Sequence, residues 1–330
     1  MEQQKRMVSG IKPTGRLTLG NYIGAIKQFI TYQDDYEMYI FIADLHSLTL
    51  PIDPKELREN TKDLISIYLA CGLDPNKVVL FKQSDVSEHA ELGYVMTCNS
   101  NMGELSRMTQ YKDKSSKLGS NESIPTGIYI YPTLMAADIL LYDADYVPVG
   151  VDQKQHVELT RDIAMRFNSR YNETFKVPEP VISRTGAKIA SLANPEKKMS
   201  KSESDKGTIY LLDDLNINRK KIMSAVTDSD NTIVFDPINK PGISNLLTIM
   251  SSLTGRNVEE IAREYDGQGY GTFKKAVADV VINELETLQN KVNEIKASGL
   301  IEKVLEEGAN KARYLARKKL NKVYRKIGIH

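Results

Sequence analysis

The sequence predicts an α/β fold: a Rossmann-type parallel-sheet nucleotide-binding domain with a helical insertion, followed by a smaller all-α domain. Three observations carry that expectation. Over the first ~190 residues, short apolar runs alternate with helical patterns, as strand, helix, strand units require. A glycine-rich turn, SGIKPTGRLTLGNYIG, separates the first apolar run from the first helical pattern. Beyond NPEKKMSKSESDKG the periodicity is helical throughout.

The elements follow in order. Met7 to Gly10 reads as the first strand. In NYIGAIKQFITYQ the apolar residues Ile23, Ile26, Phe29 and Ile30 recur at helical spacing, which predicts a helix starting at Asn21. Met38 to Ala43 is apolar at nearly every position, as a strand covered on both faces should be. PKELRENTKDLISIYLACG reads as a helix ended by Gly72, and KVVLFKQ as the third strand. Thr109 to Gly127, rich in Lys, Ser, Asn and Gly, reads as a mobile loop within the insertion. IYIYPTLMAADILLYDADYVPVG predicts a helix running into a strand that stops at Gly150, and QHVELTRDIAMRFNSRY a helix with Val157, Ile163 and Phe167 on one face. The expected division is residues 1–197 with the insertion around 85–130, residues 198–300, and a basic helix over 301–330 that packs back on the first domain.

Composition limits the possibilities. The 330 residues suffice for about two domains of ~150 residues with a core that needs no staples. The formal net charge of +1 gives no whole-molecule attraction for nucleic acid, so any such surface must come from local clustering. Two cysteines, Cys71 and Cys98, and four histidines show no metal-ligand spacing, so no protein-held metal is expected. The N-terminus lacks a signal-peptide pattern and no window resembles a membrane span, from which a soluble cytoplasmic protein is expected.

Four motifs bear on function. Gly10, Gly15, Gly20 and Gly24, with Pro13, suit a strand-to-helix turn whose backbone must approach a ligand, and a helix start favours an anion. KMSKS, Lys198 to Ser202, is by composition a solvated linker. Tyr131, Met135 and Asp138 share a helix face, and an acid among such apolar neighbours is either solvated or a specific acceptor. GVDQKQH, Gly150 to His156, ends a strand where open α/β sheets bind ligands.

The first two motifs together are specific. PTGRLTLGN resembles the His-Ile-Gly-His signature of class I aminoacyl-tRNA synthetases in the form found in tryptophanyl enzymes, and KMSKS matches the second signature at all five positions. The resemblance extends over nearly the whole chain and implies a bacterial-type tryptophanyl enzyme. Such an enzyme activates L-tryptophan with ATP and Mg²⁺ held through the phosphates, then esterifies tRNA(Trp). The insertion would form a homodimer surface and the helical domain would read the anticodon.

The resemblance also assigns residues. Lys198, Lys201, Ser200 and Ser202 would grip the β- and γ-phosphates; Thr18 and Asn21 would donate at the nucleotide, with Gly20 leaving room for the adenine. Pro13, Thr14, Gly150, Val151, Asp152, Ile189 and Met199 fall in the ATP site, and Lys12 stands where many relatives carry glutamine. Asp138 would accept the indole N–H, with Tyr131, Met135, Gln153 and His46 around the amino acid. Val151 replaces an acid common in the family, and His156 is expected to be structural. Lys112 is a candidate phosphate contact, and the basic run from Lys311 to Lys326 a candidate tRNA contact that salt would weaken. A tyrosyl enzyme is the rival within the class. A nucleotidyltransferase or a silent RNA-binding paralogue stands outside it.

Overall fold

Alternation along the strands sets the layers. In β2 (Glu37–Ile42), Met38, Ile40 and Ile42 enter one apolar cluster while Tyr39 and Phe41 enter another, and all five are buried. β1 (Arg6–Ile11) divides Met7 from Val8 in the same way, and β3 (Val78–Lys82) divides Leu80 from Phe81. Strands apolar on both faces need cover on both. The computed structural model, which describes residues 4–117, 123–182, 187–199 and 205–329, provides it with helices on each side of a five-stranded parallel sheet. With β4 at Tyr146–Val149 and β5 at Glu179–Ile182, the strand order is β3-β2-β1-β4-β5.

The order reverses beside β1, and there the sheet parts. β1 and β2 pair at six positions, from Arg6 with Glu37 to Ile11 with Ile42. β1 and β4 pair at Met7 with Tyr146 alone among the described residues. Pro148, two residues on, brings no N–H to a ladder. The C-terminal ends of β1 and β4 therefore border an open crevice, the place where doubly wound sheets bind ligands.

Three expectations need correction. The first helical segment starts at Leu19, because Thr18 rather than Gly20 is its N-cap, and runs as Leu19–Asn21, a π turn Tyr22–Ile26, and Lys27–Thr31. Within the supposed loop, Thr109–Lys117 is helical. The Thr109 N–H donates to Gln155 Oε1 at 2.9 Å and the Tyr111 ring stands edge-on to Tyr129 at 5.1 Å, so tertiary contacts override a polar composition. Lys112 is exposed on that helix. Third, the basic run is not a uniformly free face. Lys319 is buried, bonded to Asp143 and to the Thr174 carbonyl at 2.9 Å, and Arg313 donates to the Asp85 carbonyl at 2.6 Å.

The helix Leu300–Ile327 crosses the free edge of β3. Ile301 and Val304 join the apolar cluster on one face of the sheet, and Ala309, Ala312, Ala316, Leu320 and Val323 join the other. Small residues at the crossing let the helix backbone approach the strand: a Cβ on Gly308 would lie 1.8 Å from the Leu80 carbonyl oxygen. In an isolated helix, glycine to alanine gains roughly 0.5–1 kcal/mol. Gly308→Ala is expected to do the opposite and cost about 1–3 kcal/mol through forced displacement, seen as a lower urea midpoint. A raised midpoint would show that the helix does not press on the strand.

Candidate active site

Two adjoining cavities occupy the crevice. One, of about 400 Å³, is walled by Ser9, Gly10, Lys12, His46, Tyr131, Met135, Asp138, Val149, Gly150 and Gln153, among others. The second, of about 550 Å³, is walled by Lys12, Gly20, Asn21, Gly24, Gly150, Val151, Ile189 and Lys198, among others. They share Ser9, Gly10, Lys12, Pro148, Val149 and Gly150, the ends of β1 and β4. The first is mostly apolar with one buried acid. Among the described residues the second has three lysines on its wall, Lys12, Lys188 and Lys198, and no carboxylate, so it suits an anion.

Local hydrogen bonding shapes the larger cavity. The Thr18 N–H donates to Asn21 Oδ1 at 3.0 Å, and the Asn21 N–H donates back to Thr18 Oγ1 at 3.2 Å, a reciprocal cap. Thr18 is fully buried and walls neither cavity, so its side chain is spent on the helix start rather than offered to a ligand. Asn21 does reach the wall; its Oδ1 serves the cap and its amide N–H groups make no hydrogen bond among the described residues. The turn is also tied to the chain far downstream: the Leu19 N–H donates to Ile209 O at 2.9 Å and the Leu211 N–H to Leu17 O at 3.0 Å.

A second small ladder presents Lys198. The Ser191 N–H donates to Lys197 O at 2.8 Å and the Met199 N–H to Ile189 O at 2.9 Å. Ile189 and Met199 are buried beneath it while Lys198 is exposed toward the cavity. A Cβ on Gly20 would lie 3.4 Å from the Met199 carbonyl oxygen, so the turn and this ladder pack against one another. Ser200, Lys201 and Ser202 lie outside the described residues.

Other sequence candidates divide. Pro13 borders a separate hollow of about 220 Å³, and neither Thr14 nor the buried Met199 walls any of these spaces. Asp152 is exposed and walls neither cavity; its Oδ2 accepts from Gln153 Nε2 at 2.9 Å. Val151 stands exposed on the larger cavity, an apolar group with no charge to give a ribose. His156 is buried, its Nε2 2.7 Å from the Tyr131 hydroxyl, which fixes the ring that walls the smaller cavity.

Asp138 is the chemical centre of the smaller cavity. It is fully buried, with Oδ2 2.7 Å from His46 Nε2, and Oδ1 2.6 Å from His89 Nδ1 and 2.7 Å from Gln83 Nε2. Burial alone would raise its carboxyl pKa, but electrostatic attraction and hydrogen bonding from His46 and His89 outweigh it, and the group is held below its ordinary 3.8. The anion is thereby stable in an apolar setting. Sequence reasoning missed Gln83 and His89. Both follow the third strand, in KQSDVSEHAE, and a histidine in a polar post-strand segment gives no sign that it turns inward.

Comparison with known proteins agrees with this geometry. The family model for tRNA synthetases class I (W and Y) matches residues 1–286. A tryptophan–tRNA ligase of Caldanaerobacter subterraneus subsp. tengcongensis is 52% identical over 326 residues, 98% of each chain. That of Bacillus subtilis is 50% identical, over 99% of this chain and 98% of its own. Among solved structures, the tryptophanyl-tRNA synthetase of Campylobacter jejuni complexed with ADP and tryptophan superposes with a TM-score of 0.86 at 36% identity, covering 98% of this chain and 99% of its own. Matched along nearly its whole length, the chain belongs to the class I tRNA synthetases of the tryptophan and tyrosine family, on the side of the bacterial tryptophan–tRNA ligases.

Proposed function

We propose that this aminoacyl-tRNA ligase activates L-tryptophan with ATP, releasing pyrophosphate, and transfers the tryptophanyl group to tRNA(Trp). The observation that carries the choice of amino acid is the buried, anionic Asp138 at the wall of a 400 Å³ apolar cavity. An indole N–H can satisfy it. A phenyl ring would leave a buried charge short of a donor, a mismatch that can discriminate by roughly 10⁴.

The reaction needs no nucleophile from the protein. The tryptophan carboxylate attacks the α-phosphorus of ATP, the bond to the β-phosphate oxygen breaks, and charge grows on the leaving pyrophosphate. Lys198 and Lys12 stand where that charge would develop, and Asn21 offers N–H donors beside them. With no carboxylate on the cavity wall, and no cluster of three or more metal-ligating side chains among the described residues, a divalent ion would be held by the phosphates. Mg²⁺ bound in that way supplies charge neutralisation on the triphosphate.

Partners follow from surfaces. Leu48, Leu50, Tyr94, Met102 and Ile130 are large exposed apolar groups on elements that pack together, Thr49 against Gly127 and Gly93 against Leu134, which supports a homodimer face. Lys311, Lys318, Lys322, Arg325 and Lys326 remain exposed on the C-terminal helix and would attract a tRNA backbone. No helix among the described residues is long and apolar enough to cross a membrane, in keeping with work in the cytoplasm.

Tryptophan-dependent exchange of pyrophosphate into ATP is the direct test; exchange that answers to tyrosine instead would overturn the assignment of Asp138. Lys198→Ala is expected to slow single-turnover adenylate formation about 10- to 1000-fold, as loss of a leaving-group contact does, while tryptophan affinity stays within about threefold. An unchanged rate would remove Lys198 from the chemistry. Because the Asp138 carboxyl is depressed in the fold, its anion is fully present above 3.8 and lost only as pH falls through a still lower value. Tryptophan affinity should therefore show no loss attributable to Asp138 between about pH 5 and 8, and in Asp138→Asn it should be weak at every pH in that window.

A further inference from the structure

Resting on the reading of Asp138 as the indole acceptor, we propose that His89, held by Tyr142, is a positioning residue that leaves this carboxylate one open acceptor direction and so sets the preference for a substrate bearing an N–H. A carboxylate has about four lone-pair directions. Gln83 and His89 take the two on Oδ1, and His46 takes one on Oδ2. Asp138 and His46 wall the cavity while Gln83 and His89 do not, so the direction left on Oδ2 is the one we assign to the ligand N–H.

His89 is built for that task. It is fully buried and boxed by three rings, Phe41 at 5.5 Å, Phe81 at 5.8 Å and Tyr142 at 5.5 Å between centroids. Its Nε2 lies 2.7 Å from the Tyr142 hydroxyl. Nδ1 faces the Asp138 carboxylate, which only accepts, so Nδ1 carries the ring's proton. Nε2 is then free to accept from the Tyr142 hydroxyl, which burial keeps protonated. Tyr142 is itself fixed, stacked on Tyr39 at 5.1 Å. Donor, tautomer and ring plane are thus set before any ligand arrives, and His89, Tyr142 and Tyr39 wall neither cavity.

The test compares pyrophosphate exchange with L-tryptophan and with the benzothiophene analogue, in which sulfur replaces the indole N–H. In His89→Leu, KM for tryptophan should rise about 10- to 100-fold with kcat within about threefold, as loss of one charged hydrogen bond predicts, while KM for the analogue stays within about threefold. His89→Asn, whose amide can keep an N–H toward Oδ1, should restore most of the preference. Equal losses with both substrates, or an unchanged preference, would overturn the proposal and leave His89 a packing residue. Should His89→Leu fail to fold, Tyr142→Phe decides: a preference reduced about 3- to 10-fold supports the tautomer lock, and an unaltered one refutes it. Asp138→Asn separates the two layers, because a preference that survives in it removes the indole contact itself, and the role of His89 with it.

Discussion

The site depends on the parting of β1 and β4 after a single bridge at Met7 and Tyr146. Six paired positions hold β1 to β2, so β1 cannot turn away from that side. The separation must therefore open toward β4, and its floor is formed by strand ends whose backbone is already fixed. Ser9, Gly10, Pro148, Val149 and Gly150 serve both cavities for this reason. One opening in the sheet places an apolar chamber with a buried acid next to a lysine-rich chamber, and a reaction joining a carboxylate to a phosphorus needs that adjacency.

The two signatures are joined through the backbone. Residues 17–19 of the glycine-rich turn bond to 209–211, just past the second signature, and the ladder of 189–191 with 197–199 presents the first lysine of that signature. Gly20 sits under the Met199 carbonyl. The turn and the second signature are therefore tied to one framework by short ladders, one of which joins segments nearly two hundred residues apart in sequence.

Much of this was legible in the sequence and some was not, for identifiable reasons. Apolar runs without alternation gave the doubly covered strands, and residues of both motifs, Gly20, Asn21 and Lys198, wall the larger cavity. Asp138 could be found because an acid in an apolar helix is conspicuous. His89 and Gln83 could not, since their turn inward depends on the packing of Phe41, Phe81 and Tyr142 from three separate elements. Thr18 misled for the opposite reason: its place in the motif suggests ligand contact, while a threonine three residues before a donor-rich helix position is also a cap. Thr109–Lys117 misled through composition, because polar helices held by a few tertiary bonds look like loops.

The helix Leu300–Ile327 closes the outer strand of the sheet; Arg313 fastens it to the segment that carries Gln83 and His89, and Lys319 fastens it to Asp143 and Thr174. β3 is synthesised some two hundred residues before the helix that covers it. A nascent chain stalled in that interval presents an uncapped row of backbone groups, the template for unwanted strand addition. Completion of the last helix is thus what removes that template, so the end of the chain protects a strand made near its beginning.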